Sequence, residues 1–150
     1  MKILDYGSHN KKQPNRVNVD LMPHANVDIV VGTDVLPFDD CSFDIVISNQ
    51  VMEHNLHIES YYREAARVLK DNGYMFLHFP HRWQPNPGHY MKWFSHWFKP
   101  VQPGYNWQPR SYHKRIALKY FDKWVDLAPY YRQVKAVLFK QDMFKLLEAP

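Results

Sequence analysis

Five short apolar runs, each closing on an acid, an amide, a glycine or a proline, constrain this chain more than any other feature. Residues 2–6 (KILDY) run into Gly7, residues 16–20 (RVNVD) alternate and end on Asp20, and residues 27–32 (VDIVVG) are nearly all apolar after their aspartate. Residues 43–48 (FDIVIS) and 74–79 (YMFLHF) are the fourth and fifth. Val/Ile runs with little alternation suit strands covered on both faces, the condition of a parallel sheet. Between the fourth and fifth runs, Ile58, Tyr62, Ala65 and Leu69 recur at helical spacing and predict a helix over 58–70. Asp71-Asn72-Gly73 supplies its stop, with Gly73 suited to a left-handed cap. Strand, helix, strand in that order is a crossover unit, and it predicts an α/β fold.

The second half reads differently. Prolines at 80, 85, 87, 100, 103 and 109 restrict residues 80–109 to short regular pieces, such as a helix over 90–98. Ser111 is placed to cap a helix running to about 128, with Ile116, Tyr120, Trp124 and Leu127 as its buried stripe. Residues 134–139 read as a strand, and 142–147 as a last helical turn or two. Residues 1–75 hold seven Lys/Arg against eleven Asp/Glu, whereas residues 76–150 hold twelve against four and all five tryptophans. A basic, aromatic half is consistent with solvated lysines over a small core, or with a surface that meets an anionic substrate or nucleic acid. At 150 residues the chain is one domain's worth. Its single cysteine, Cys41, excludes an internal disulfide framework and a Cys-based zinc site. No apolar run approaches the roughly 20 residues of a membrane span. Asp5 stands where a signal peptide needs an apolar stretch, so the expected location is cytoplasmic.

Chemistry is expected at the strand ends. In an open parallel sheet, ligands bind outside the carboxyl ends of the strands. Those ends carry Asp5 and Gly7, then Asp20, then Asp34-Val35-Leu36, then Ser48-Asn49-Gln50. Gly7 lets the backbone turn tightly against a ligand. A carboxylate such as Asp20 offers two oxygens to the two hydroxyls of a ribose. Asp34 or its neighbouring amide suits an adenine edge, with Val35 and Leu36 as apolar walls.

The stretches ILDYGS (3–8), VNVDL (17–21), DVLPFDDCSFDIVISNQVMEH (34–54) and REAARVLKDNGYMFLHFP (63–80) together resemble the class I S-adenosylmethionine-dependent methyltransferases, particularly their type 11 group. The resemblance covers about residues 3–80. It implies a Rossmann-like sandwich with a mostly parallel central sheet of order 3-2-1-4-5, and S-adenosylmethionine as cofactor. It places Asp5 and Gly7 beside the methionine part of the cofactor, Asp20 on the ribose, and Asp34, Val35 and Leu36 on the adenine. Asn49 and Gln50, with Ser48, face the methionine portion and the methyl acceptor. Glu53 and His54 match a Glu-His pair that is structural or substrate-facing in different members. Residues 1–80 would then form the cofactor-binding core of a single domain, and 81–150 its acceptor side.

Several residues depart from the family pattern. His9 stands where a second glycine is usual, and histidine tolerates positive φ less well than glycine. Asp20 follows Gly7 by 13 residues, too few for an ordinary first crossover helix. The chain also begins directly at the first strand, and only residues 134–139 suggest the closing hairpin. The sheet is therefore expected to be short or truncated at both ends, with a homodimer as one way to cover the apolar surface this leaves. Transfer to a hydroxyl needs a base, and His81, after the fifth strand, is the candidate catalytic residue. His81, His89, His96 and His113 match no compact metal-binding spacing, so no metal is expected. The functional expectation is methyl transfer to a small-molecule or a glycan- or lipid-linked acceptor. The alternatives are an inactive module that keeps the fold for binding or regulation, and a nucleic-acid binder. The last is disfavoured as a base-amine methylase, because Ser48-Asn49-Gln50-Val51 replaces the Asn/Asp-Pro-Pro-aromatic tetrapeptide.

Overall fold

The computed structural model describes residues 1–9, 13–31, 35–80, 108–127 and 133–141. Among these, seven strands and two helices follow in the order β1 (Ile3–Tyr6), β2 (Val17–Asp20), β3 (Ile29–Val30), β4 (Phe43–Asn49), α1 (Ile58–Val68), β5 (Leu69–Pro80), α2 (Arg110–Ala117), β6 (Lys123–Asp126) and β7 (Gln133–Phe139). The strands form one sheet of order β3-β2-β1-β4-β5-β7-β6. The first five pair in parallel, and β7 runs antiparallel to both β5 and β6. The expected central order 3-2-1-4-5 is present.

The sheet's pleat separates two faces. Leu4, Val46, Met75 and Leu138 are register partners in a row across four strands, and all are fully buried. Helix α1 shares this core through Ile58, Tyr61, Tyr62, Ala65, Ala66 and Val68, the i, i+3, i+4, i+7 stripe that makes a helix pack. Helix α2 adds His113, Ile116 and Ala117. The neighbouring row, Asp5, Ile47, Phe76 and Val137, points to the opposite face.

Four expectations are corrected. Helix α1 stops at Val68, because Leu69 is already extended (φ −73°, ψ 139°) and pairs with Phe43. Gly73 is therefore no left-handed cap. It is needed for close approach instead: a Cβ there would lie 2.9 Å from the carbonyl oxygens of Asp44 and Lys70. The helix from Ser111 also ends early, at Ala117, and Trp124 lies in β6 with Leu127 exposed beyond it. The closing hairpin is consequently complete, and the sheet is not truncated at that edge. The postulated helices over 90–98 and 142–147 lie outside the described residues.

No described residue between β1 and β2 is helical, which accounts for the short spacing from Gly7 to Asp20. The connection is held by hydrogen bonds instead. Gly7 and Ser8 N–H both donate to the Val19 carbonyl (2.8 and 3.0 Å). The buried Asn18 amide donates to the Arg16 carbonyl and to Asp28, at 3.1 and 2.8 Å.

Candidate functional site

The carboxyl ends of β1, β2 and β4 meet around Gly7. A cavity of about 420 Å³ lies on one side, lined by Tyr6, Gly7, His9, Asp20, Leu21, Met22, His24, Gln50, Val51, His54, Asn55 and Tyr61. A second, of about 680 Å³, is lined by Asp5, Gly7, Ser8, His9, Gln13, Arg16, Ile47, Asn49, Gln50, His54 and Phe76. Gly7, His9, Gln50 and His54 line both.

Backbone conformation builds this junction. Gly7 has φ +91°, and His9 and Gln50 are left-handed at +51° and +59°. A left-handed non-glycine residue costs on the order of 1–2 kcal/mol, repaid here by the contacts that fix each turn. The His9 N–H donates to Asp20 Oδ2 (2.7 Å), the Met22 N–H to Asp20 Oδ1 (3.0 Å), and the Gln50 N–H to the His78 carbonyl (2.7 Å). Each Asp20 oxygen thus accepts one amide and keeps a further lone pair for a ligand. The His9 ring leans on His24, 4.4 Å between centroids.

Below the junction, Tyr61 stacks on Tyr6 at 4.0 Å and donates its hydroxyl to the Tyr6 carbonyl (2.8 Å), with the Ser48 hydroxyl 2.9 Å away. Burial raises the Tyr61 phenol well above its ordinary value, so it stays a neutral structural donor. At the β4–β5–β7 edge, the His78 imidazole bridges Asn49 Oδ1 (2.7 Å) and Gln133 Oε1 (3.0 Å), and so orients the Asn49 amide at the second cavity. Asp5, also on that cavity, is raised by burial against the opposing effect of Arg16, whose guanidinium lies 3.5 Å away. Ser8 lines the same cavity, and its hydroxyl is buried with no hydrogen-bond partner among the described residues.

The structure brings together Asp5, Gly7, Asp20, Asn49 and Gln50. It does not bring Val35 or Leu36 onto either cavity: Val35 is exposed, and Leu36 is buried in the core. Asp34 and His81 lie outside the described residues, as do His89 and His96. His113 is not at the site; it is buried beside Phe79, with Nδ1 3.2 Å from the Tyr62 hydroxyl. Among the described residues no group of His, Cys, Asp and Glu is arranged to hold a metal ion, and no helix is long and apolar enough to cross a membrane.

Sequence reasoning missed the clamp that holds the loop after β3. Arg67 donates to the carbonyls of Phe38 (2.8 Å) and Leu36 (2.9 Å), to Asp40 (2.7 Å) and to Glu64 (2.8 Å), while Glu64 accepts the Leu36 N–H (2.9 Å). The i, i+3 spacing of Glu64 and Arg67 was its only trace in the sequence. Lysine cannot reproduce this planar fork. Arg67→Lys is therefore expected to cost about 2–3 kcal/mol in urea denaturation, the scale of one or two charged hydrogen bonds, and to speed amide exchange at Leu36.

Two buried groups give opposed pH dependences. Burial pushes the His113 imidazole from 6.5 down to about 4. The unfolded chain binds that proton first, so His113 costs stability as pH falls from about 6.5 to about 4, reaching about 3 kcal/mol. Burial pushes the Glu53 carboxyl from 4.5 up to about 7. Here the unfolded chain loses its proton first, so the contribution is full below about 4.5 and is lost as pH rises to about 7, again by about 3 kcal/mol. Between pH 4.5 and 6.5, stability should rise with pH in Glu53→Gln and fall with pH in His113→Leu, relative to the flatter wild type. Parallel curves in urea denaturation would contradict this assignment.

A mostly parallel sheet with an antiparallel closing hairpin, carrying an acid at the end of β2 and a glycine turn after β1, defines a Rossmann-like domain of the methyltransferase type. The profile of the methyltransferase domain family matches residues 5–77. Two probable S-adenosylmethionine-dependent methyltransferases, from two strains of Mycobacterium tuberculosis, are each 40% identical over 53 residues, 35% of this chain and 19% of theirs. The match thus spans about a fifth of the length of those relatives. Among solved structures, the PH0226 protein from Pyrococcus horikoshii superimposes with a TM-score of 0.71 at 18% identity, over 93% of this chain and 83% of that one. The geranyl diphosphate C-methyltransferase from Streptomyces coelicolor, solved with Mg²⁺, geranyl diphosphate and S-adenosyl-L-homocysteine, gives 0.66 at 15%, over 93% and 72%. Residues 5–77 thus match the methyltransferase domain family, and the chain shares the fold of these solved structures.

The residues present fit that family's cofactor. Asp20 presents open lone pairs to a diol, and Leu21, Met22 and Val51 supply apolar wall in a cavity within the usual size of ligand pockets. His9 and His24 take wall positions in the same cavity.

Proposed function

We propose that this chain transfers a methyl group from S-adenosylmethionine, seated against Asp20, to an acceptor held in the second cavity. The observation that carries this reading is the meeting of the two cavities at Gly7, His9, Gln50 and His54. A donor in one and an acceptor in the other would face each other across that junction. The cofactor brings an electrophilic sulfonium methyl, so the protein's work is alignment, water exclusion and proton removal. In this reading Asp20 holds the ribose, and Asp34 serves the adenine. Gly7 and Gln50, at the junction, hold the methionine portion, with Asp5 and Asn49 meeting it from the second cavity, and His81 remains a candidate base. Residues 1–80 act as the cofactor core and 81–150 as the acceptor side, in a cytoplasmic protein able to form a homodimer.

The acceptor is a small molecule or a glycan- or lipid-linked group. The structural neighbours share the fold at under 25% identity and do not select among acceptors. Nucleic acid is the weaker choice, because Arg110, Lys119 and Lys140 are each within 3.4 Å of a carboxylate. One observation favours a binding module without turnover: His9 keeps the left-handed turn with its ring in the cofactor cavity.

The test is a titration with S-adenosylmethionine followed by transfer of a labelled methyl to a panel of hydroxyl, thiol, amine and isoprenoid acceptors. Micromolar binding with transfer to one class is expected. Binding without transfer to any class would favour the module.

A further inference from the structure

We propose that Asp5 and Arg16 form a subsite for an α-amino-acid head group, with the carboxylate on the Arg16 guanidinium and the ammonium on the Asp5 carboxyl. This rests on the methyl-transfer reading and deepens it, because the methionine end of S-adenosylmethionine carries such a head.

Strand pairing brings the two residues together. Asp5 of β1 is level with Asn18 of β2, and Arg16 precedes Asn18 by two residues. Both line the second cavity, where the Asp5 side chain is 9% exposed and that of Arg16 30%. Arg16 Nη1 lies 3.5 Å from Asp5 Oδ2. That is the outer limit of a hydrogen bond, whereas a well-made guanidinium–carboxylate pair closes to about 2.7–2.9 Å, often through two parallel bonds. Arg67 closes in this way, at 2.7 Å to Asp40 and 2.8 Å to Glu64. Among the described residues, the Arg16 side chain makes only its one long hydrogen bond, so its fork is held beside Asp5 without being used up.

Charge selects the ligand. An anion on Arg16 alone is repelled by Asp5, and a cation on Asp5 alone is repelled by Arg16. A ligand with both charges on neighbouring atoms satisfies both, and an α-amino acid carries its ammonium and carboxylate on one carbon. A guanidinium fork matches a carboxylate through two hydrogen bonds, and the lone pairs of a carboxylate receive an ammonium. Burial raises the Asp5 carboxyl even with Arg16 beside it, and a ligand ammonium supplies the counter-charge that is short there.

Position agrees with charge. Gly7 lines both cavities and follows Asp5 by two residues. A ligand whose ribose is on Asp20 in the first cavity reaches Asp5 and Arg16 by passing Gly7, where no side chain intervenes. The wall formed by Ile47, Asn49 and Phe76 is left to the acceptor. The same head group also belongs to a free amino acid bound as acceptor, and the two sources are separable.

The test is calorimetry with S-adenosylhomocysteine, with methylthioadenosine, which keeps the nucleoside and sulfur but lacks the head, and with L-methionine, a head without the nucleoside. Arg16→Gln is expected to lower affinity for S-adenosylhomocysteine about 10- to 100-fold, the loss of a charged and forked pair, and to leave that for methylthioadenosine within about threefold. Arg16→Lys keeps a cation beside Asp5 but not the fork, so it should match wild type in thermal unfolding and bind S-adenosylhomocysteine with intermediate affinity. If both variants bind S-adenosylhomocysteine as wild type does, while L-methionine binds the saturated wild type and not Arg16→Gln, the head belongs to the acceptor and the subsite stands. Affinities for S-adenosylhomocysteine and L-methionine that are both independent of Arg16 overturn the proposal alone. Equal losses for S-adenosylhomocysteine and methylthioadenosine also overturn it, since Arg16 then serves the site without reading the head. If neither nucleoside binds the folded wild type while L-methionine binds through Arg16, the methyl-transfer reading falls and the subsite remains.

Discussion

Replacing Asp20 by alanine is expected to reduce affinity for S-adenosylmethionine by about two orders of magnitude or more. Two charge-assisted hydrogen bonds to a diol are together worth roughly 3 kcal/mol or more, and each 1.4 kcal/mol is tenfold. The carboxylate also receives the backbone amides of His9 and Met22, so its removal loosens both turns that wall the cavity. Asp20→Asn separates these roles, because its carboxamide keeps one oxygen and loses the charge. Its expected affinity lies between wild type and Asp20→Ala, with thermal stability nearer wild type. Calorimetry and thermal unfolding read the two effects independently. Equal affinity in all three proteins would remove Asp20 from the site.

The second large effect concerns Gly7. A Cβ there would lie 2.3 Å from Val51 Cγ2 and 3.1 Å from Cγ1, at a φ of +91° that L side chains rarely adopt. Gly7→Ala is expected to destabilise the domain by roughly 2–4 kcal/mol, combining backbone strain with overpacking. It should also lose ligand binding, since both residues line the first cavity. Adding Val51→Ala makes the origin visible. The double variant relieves the clash and leaves the φ strain, so it should recover part of the stability, with about 1–2 kcal/mol remaining. Strictly additive losses would mean that Val51 is not what crowds Gly7.

What the sequence disclosed, and what it hid, follow from the same physics. Buried parallel strands must be apolar on both faces, so the runs forming β1 to β5 were visible with no more than boundary errors. The hairpin was not visible, because Lys123–Asp126 (KWVD) is short and Trp124 also falls at helical spacing from Ile116 and Tyr120. The early end of α1 was hidden because Leu69 suits a helix as well as the strand position opposite Phe43 that it occupies. At the site, acids and glycine at strand ends were legible because strand ends are where ligands meet an open sheet. The left-handed turn at Gln50 was not, since no glycine marks it. The placement of Leu36 in the core depends on the Arg67–Glu64 clamp, a long-range contact that no local pattern encodes. The buried Glu53 beside His54 was readable as a pair, but its depth was not.

The proposed cofactor site is the carboxyl edge of β1, β2 and β4. The most direct measurement is an amide NMR map of the isotopically labelled chain titrated with S-adenosylhomocysteine. Saturable shifts are expected at Asp5–His9, Asp20–Met22 and Asn49–Asn55, with β6 and β7 unmoved. Saturable shifts centred elsewhere, or none in a folded chain at millimolar ligand, would contradict it.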